Sequence, residues 1–254
     1  MVVKIARVWY NKMYNNWAGS SIFFHIIIIN SFLRCIMSTF AIWLDTFFAD
    51  FDRTILTFWH AVAESEFGQA FFTPFMKFVS WTGNKGIIFI IMGLILLFFK
   101  NTRKSGTCVL LSMIFGLLIT NILLKGTIAR IRPFNASELY REFWTFVGQV
   151  HVGETSFPSG HTTSAMAAML ALCLTRGKKY IPICIIEVAL MGISRNHLMV
   201  HYPSDILGGV LAGAISAIFG FLLTNAIFKL LESKKHNKAV HLVLDWDVLG
   251  TKRG

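Results

Sequence analysis

Charge is scarce in this chain. Only 15% of its 254 residues are charged, 55% are hydrophobic, and the mean hydropathy is +0.60. A water-soluble domain of this size needs more polar surface, so composition excludes that class and points to an integral membrane protein. Acidic residues are scarcer still: 13 Asp and Glu stand against 24 Lys and Arg, for a net charge of +11. Cysteine is sparse and unpaired in pattern. Cys35, Cys108, Cys173 and Cys184 are scattered through apolar runs without any CxxC. That spacing argues against a disulfide framework or a zinc site and leaves packing as their role. Several chemical motifs are also missing. There is no HExxH, no GxxxxGK[ST], no GxGxxG opening a helix after a strand, and no Asp/Glu/His cluster with metal spacing. No cleavable signal peptide is read at the start, because the chain beyond the first long apolar run needs that run as an anchor.

What the chain does contain is a succession of apolar runs. Residues 1–19 form a basic tail with Trp9, Tyr10, Tyr14 and Trp17 as an interfacial aromatic belt. Ser20–Leu44 is long enough to span, although Asn30 and Arg34 interrupt it. Asp45–Val79 mixes acidic residues with many aromatics and reads as amphipathic helices on the membrane surface. Further spans are expected at Gly86–Phe99, Gly106–Leu124, His161–Thr175, Tyr180–Ile193 and Asp205–Leu231. The last is rich in glycine and alanine, which lets helices approach closely. The expected fold is therefore all-α: a six-transmembrane-helix bundle over 20–231, flanked by basic tails at 1–19 and 232–254, with short surface helices on the extracytoplasmic side.

The basic residues follow this layout. The two tails, the second counted from Lys229, and the tight loops Lys100–Lys104 and Arg176–Lys179 hold 15 of the 24 Lys and Arg. Six spans put all four segments on one side, and the positive-inside rule makes that side cytoplasmic. The net charge is then mainly topology, and a nucleic-acid partner loses its support. Three polar clusters fall together on the opposite, outer edge, each at the end of a span. They are Lys125–Pro133, Pro158–His161, and Ser194-Arg195 followed by His201 and Asp205.

Residue types suggest what these clusters do. Lys125, Arg132 and Arg195 supply fixed positive charge, with the arginine fork matched to phosphate oxygens. Ser159 is a good N-cap, and Gly160 lets backbone approach a ligand at a helix N-terminus, where an anion is favoured. His201 is a candidate nucleophile, and Asp205 could hold its far ring nitrogen. His161 is a candidate general acid and base. Taken singly, each has a plainer reading. Lys125 and Arg132 serve equally as snorkelling residues, Arg195 as a helix end, and His201 with Asp205 as a structural cap pair. The joint arrangement favours chemistry.

In these residues the sequence resembles the type 2 phosphatidic acid phosphatase superfamily. The family signature reads here as Lys125-x6-Arg132-Pro133, Pro158-Ser159-Gly160-His161, and Ser194-Arg195-x5-His201-x3-Asp205, all in order and spacing. The resemblance covers about Asp45–Leu231. It implies a metal-independent enzyme without a cofactor, working through a phosphohistidine. His201 would be the nucleophile, Asp205 its partner and His161 the acid/base; Lys125, Arg132, Ser159, Gly160 and Arg195 would bind phosphate. The implied substrates are lipid phosphates or diphosphates: phosphatidylglycerophosphate, phosphatidic acid or undecaprenyl diphosphate. The implied location is a plasma (inner) membrane, with the site facing outward and both termini cytoplasmic. Two competing functions remain open at this point. One is a phosphotransferase that passes the phosphate to an acceptor such as lipid A, and the other a non-catalytic transporter or scaffold.

Overall fold

The computed structural model describes residues 39–248. The expected N-terminal tail and most of the first span, with Asn30, Arg34 and Cys35, lie outside the described residues. A helical segment over 39–47 leads into α1 (Ala49–Glu64), whose first turn carries Asp50 and Asp52 at the positive end of the helix dipole. Asp52, Leu56 and Ala63 line its buried face, while Phe51 and Phe58 stay exposed. α1 is thus amphipathic, as expected for the segment.

The structure departs from that expectation further along. After Ser65 a π-helical turn (Gly68–Phe72) runs into α2 (Thr73–Thr82) and then α3 (Ile87–Leu97). Gly68–Leu97 is one apolar helical run long enough to cross a membrane, so residues 68–79 belong to it and not to the surface layer. Gly68 makes the sharp return possible, because a Cβ there would run into the Val62 carbonyl. The run is broken between α2 and α3, where Lys85 and Gly86 adopt left-handed backbone (φ 52° and 67°).

Next comes α4 (Arg103–Leu117), continued by a second π-helical turn (Leu118–Leu124) and the short α5 (Lys125–Ile128). Two small helices follow, α6 (Pro133–Ala136) and α7 (Glu138–Phe146), the latter capped by the Ser137 hydroxyl. Three long helices complete the bundle: α8 (Gly160–Arg176), α9 (Ile181–His197) and α10 (Pro203–Ser233). Among the described residues, three helical runs are long and apolar enough to cross a membrane: Gly68–Leu97, Arg103–Ile128 and Pro203–Ser233. α8 and α9 have 17 residues each, at the short end of what crosses a hydrocarbon core of ~30 Å.

The core is the triple packing of α4, α8 and α10. Glycines make it tight. A Cβ at Gly213 would stand 2.6 Å from Met166 Cβ, and one at Gly220 would stand 2.7 Å from the Ser112 amide nitrogen. Apolar residues also cover much of the outside: Ile91 and Ile95 on α3, Ile185 and Ile186 on α9, Leu211 and Leu222 on α10 are all exposed. A patch this extensive needs an apolar solvent.

The two ends of the bundle differ. At one end α11 (Lys238–Asp245) folds back on the turn between α3 and α4. Lys100 pairs with Asp245 at 2.6 Å, and the Arg103 guanidinium donates to the carbonyls of Leu97, Leu244 and Trp246. Arg176 joins this end by donating to the Asn101 carbonyl at 2.8 Å. The basic tail expected from the sequence thus carries a helix and is docked as far as the described residues run. The other end gathers the α5–α8 connection, the α9–α10 connection and the break between α2 and α3.

Candidate active site

The α9–α10 connection is short and buried. Leu198, Met199 and Val200 have no exposed surface, and Met199 takes a left-handed φ of 57° to make the turn. Pro203 opens α10 with its φ preset and no N–H to lose. Asp205 is therefore the third residue of the helix, where a carboxylate reaches back to the preceding amide: it accepts from Tyr202 N at 2.8 Å. The same carboxylate accepts from Arg130 Nη1 at 2.7 Å and from the Ser156 hydroxyl. His201 Nδ1 stands 3.4 Å from Asp205 Oδ2, and the His201 carbonyl is held by Asn196 Nδ2 at 3.0 Å.

The other ring nitrogen of His201 faces Arg132, with Nε2 and Nη1 3.3 Å apart. A guanidinium has donors only, so the Nε2 lone pair faces it and the ring proton sits on Nδ1, toward Asp205. Burial, then the charges of Arg132, Arg195 and Lys125, push the imidazole well below its ordinary pKa. His201 is therefore a neutral ring whose Nε2 lone pair is turned toward Arg132.

That lone pair opens on a cavity of about 520 Å³. Lys125, Arg132, Arg195, Gly160, His161 and His201 all line it, which brings together six of the eight residues singled out from the sequence. Arg132 is fixed by donating to the carbonyls of Gly153 and Val200, and burial brings its pKa down to about 10. Arg195 donates to the Ser80 hydroxyl, and its buried Nε has no hydrogen-bond partner among the described residues. Lys125 reaches the start of α8, where a Cβ at Gly160 would stand 3.7 Å from Nζ. Among the described residues, no carboxylate lines the cavity. Its fixed charge is all of one sign, an arrangement that only an anion completes.

Ser159 and Asp205 stand behind the wall. Ser159 is fully buried; its hydroxyl caps α8 by accepting from Thr162 N at 3.4 Å and Thr162 Oγ1 at 3.0 Å. Its own amide donates to the Asp205 carbonyl at 3.0 Å, tying the start of α8 to the start of α10. Asp205 reaches the cavity only through His201.

Sequence reasoning gave no role to Arg130, although it lies inside the first cluster. In the structure it is the hub beneath the site. It bonds Asp45 at 2.8 Å, Asp52 at 2.9 Å, Asp205 at 2.7 Å and Ser204 at 2.7 Å, and stacks 4.0 Å from the Tyr202 ring centre. Asp52 in turn accepts from the Ser204 amide at 2.8 Å. The only sequence signal was a third basic residue within nine positions. Asp52 and Ser156 gave none, because their partners lie 78 and 49 residues away.

A helical bundle with an apolar exterior, and at one end a histidine–aspartate pair opening on a carboxylate-free basic cavity, defines a class of membrane protein built to handle a phosphate-like anion. Residues 105–229 match the PAP2 superfamily and are a domain of that family. The chain is 31% identical to the undecaprenyl-diphosphatase of Sulfolobus acidocaldarius over 55% of this chain and 64% of that one. It is 25% identical to the lipid A 4'-phosphatase of Bacteroides thetaiotaomicron, over 74% and 83%. It is 32% identical to the phosphatidylglycerophosphatase B of Bacillus subtilis, over 44% and 56%. The matched part thus spans less than two thirds of the first and third of these relatives. No solved structure matches the chain.

Proposed function

We propose that this chain is an integral membrane lipid phosphatase that hydrolyses phosphomonoester or diphosphate head groups through a phosphohistidine. One observation carries the reading: the neutral Nε2 of His201, backed by Asp205, opens on a cavity whose fixed charges are all positive. The terminal phosphoryl group binds among Lys125, Arg132 and Arg195, with the Gly160 amide at the start of α8 completing the cradle. The Ser159 cap holds that turn in place.

Nε2 attacks phosphorus, and the bond from phosphorus to the lipid oxygen breaks with its electron pair on oxygen. His161, which takes up a proton as the anionic head group enters among the cations, passes that proton to the oxygen. The imidazolium formed at His201 is compensated by Asp205 through Nδ1–H, which is the function of a buried carboxylate behind a nucleophile. His161 then takes a proton from water, the water oxygen bonds to phosphorus, and the N–P bond breaks to release phosphate and restore His201. No step requires a metal or cofactor.

The protein is placed by this reading in the plasma (inner) membrane with its site facing outward and both ends of the chain cytoplasmic. The docking of Lys100, Arg176 and Asp245 at the end of the bundle away from the cavity supports it.

The test is phosphate release by purified protein from phosphatidylglycerophosphate, phosphatidic acid and undecaprenyl diphosphate, with EDTA present throughout. Turnover is expected on one or more of the three. His201→Ala should remove at least ~10³-fold of it, and an acid-labile phosphoenzyme should be trapped on the wild type only. Full turnover by His201→Ala would sink the mechanism.

A further inference from the structure

The wall of the cavity extends beyond the three signature clusters. Thr73, Lys77 and Ser80 lie at i, i+4 and i+7 of α2 and so share one face of that helix. The outer two are tied to α9: Thr73 Oγ1 lies 2.8 Å from His197 Nε2, and the Ser80 hydroxyl accepts from Arg195. These two rungs lock α2 beside the site. Lys77, between them, lines the cavity and makes no hydrogen bond or ion pair among the described residues. Its ammonium lies over the bare Cα of Gly148, where a Cβ would stand 2.8 Å from Nζ; Gly148 itself takes a φ of 93°. His151, exposed, also lines the cavity.

Charge counting shows what this implies. Lys125, Arg132 and Arg195 already exceed the charge of about −2 on one phosphate monoester near neutral pH. Lys77 makes four fixed cations, with no carboxylate in the wall among the described residues. A ligand with one phosphate leaves Lys77 facing nothing. A ligand with two phosphates in series gives it a partner.

We infer that Lys77, with His151, forms a second phosphate subsite, so that the site takes lipid diphosphates in preference to lipid monophosphates. This rests on the hydrolytic reading above for its chemistry. His201 Nε2 bonds to the terminal phosphorus as the bridging P–O bond breaks, and the electron pair stays on the bridging oxygen. That oxygen is now part of a lipid monophosphate lying against Lys77. Its second ionisation lies near pH 6, so it leaves as a stable anion, whereas a lipid alkoxide has to be protonated. Lys77 then neutralises charge that develops only as the bond breaks.

The experiment compares farnesyl diphosphate with farnesyl monophosphate in detergent micelles. The wild type should favour the diphosphate in kcat/KM. Lys77→Ala should lose roughly tenfold on the diphosphate and less than about twofold on the monophosphate, with Lys77→Arg recovering most of the loss. Equal losses on both substrates, or no loss on the diphosphate, overturn the subsite. Lys77 is exposed and unpaired, so its variants should fold.

A second arm reads binding without turnover. In a His201→Ala background, inorganic diphosphate should raise the thermal midpoint more than inorganic phosphate does. Adding Lys77→Ala should cancel that excess. An excess that survives the lysine change overturns the subsite. If the wild type releases no phosphate but the lysine-dependent excess remains, the hydrolytic reading falls and the subsite stands.

Discussion

His201 is held between an acceptor and a donor. Asp205 lies on its Nδ1 side at 3.4 Å, and Arg132 on its Nε2 side at 3.3 Å. The carboxylate favours an imidazolium and the guanidinium opposes it; burial decides against the charged form, so the pKa lies well below 6.5. Only the neutral ring can attack, hence the acid limb set by His201 in kcat/KM should lie well below pH 6.5. Arg132→Gln removes a positive charge beside Nε2. The imidazolium then becomes less unfavourable, the pKa rises, and the acid limb should move to higher pH by about one unit or more. The check is a pair of kcat/KM profiles on one substrate across the acid range. Substrate ionisation is common to both enzymes, so the displacement between them isolates the enzyme. An unmoved limb would mean that Arg132 binds phosphate without tuning the nucleophile. Arg130 cannot substitute for it. Arg130 is spent on Asp45, Asp52 and Asp205, and its charge reaches His201 only through that network.

At the scale of the helix, the site depends on how closely α10 approaches α4 and α8. Gly209 packs on the Ser159 carbonyl, where a Cβ would stand 2.8 Å away; Gly213 meets Thr163 O at 2.7 Å; Gly220 meets Ser112 N at 2.7 Å. These are backbone contacts, which cannot step aside as a side-chain tip can. Gly213→Ala and Gly220→Ala should each destabilise the folded protein by about 1–3 kcal/mol through overpacking, measured by chemical or thermal unfolding in detergent. Gly126→Ala, with nothing within 4 Å of its Cβ position, is the control and should be neutral. If the three variants unfold alike, close packing is not what these glycines serve. The glycine and alanine content of α10 was legible as a sign of close approach, because residue size alone carries it. The partners were not, since Ser112 and Thr163 lie 108 and 50 residues away from the glycines they meet. The same distinction holds for the site. Lys125, Arg132, Gly160, His161, Arg195 and His201 announce themselves through short fixed spacings at helix ends. Lys77 and Asp52 sit on an aromatic-rich stretch read as surface, and only the return of the chain at Gly68 sets α2 against α9. The two π-helical turns left no mark in the sequence reading either, since an extra residue in a helical turn changes no residue type.

At the scale of the whole molecule, the bundle has one end that holds the basic cavity and one end that gathers positive loops. Lys100 and Arg176 come together with α11 at the latter, and the cavity with His151 lies at the former. In a membrane, the excess of Lys and Arg at one end sets orientation, and the anion cavity then opens on the opposite leaflet. This separation predicts a labelling pattern. In a chain whose four native cysteines are replaced by alanine, a single cysteine at position 151 should react with a membrane-impermeant thiol reagent added to intact cells. A single cysteine at position 178 or at position 100 should react only after the membrane is opened. Position 151 and position 178 are separated by α8 alone, so opposite labelling means that this 17-residue helix spans. Matching labelling at 178 and 100 means that the two basic loops share a side. Cysteines at 151 and 178 labelled from the same side would instead make α8 a buried helix that does not cross, and the outward-facing site would lose its topological support. The apolar exteriors of α3, α9 and α10 favour the first outcome, because Ile95, Ile185 and Leu211 are exposed at 51%, 62% and 66% among the described residues.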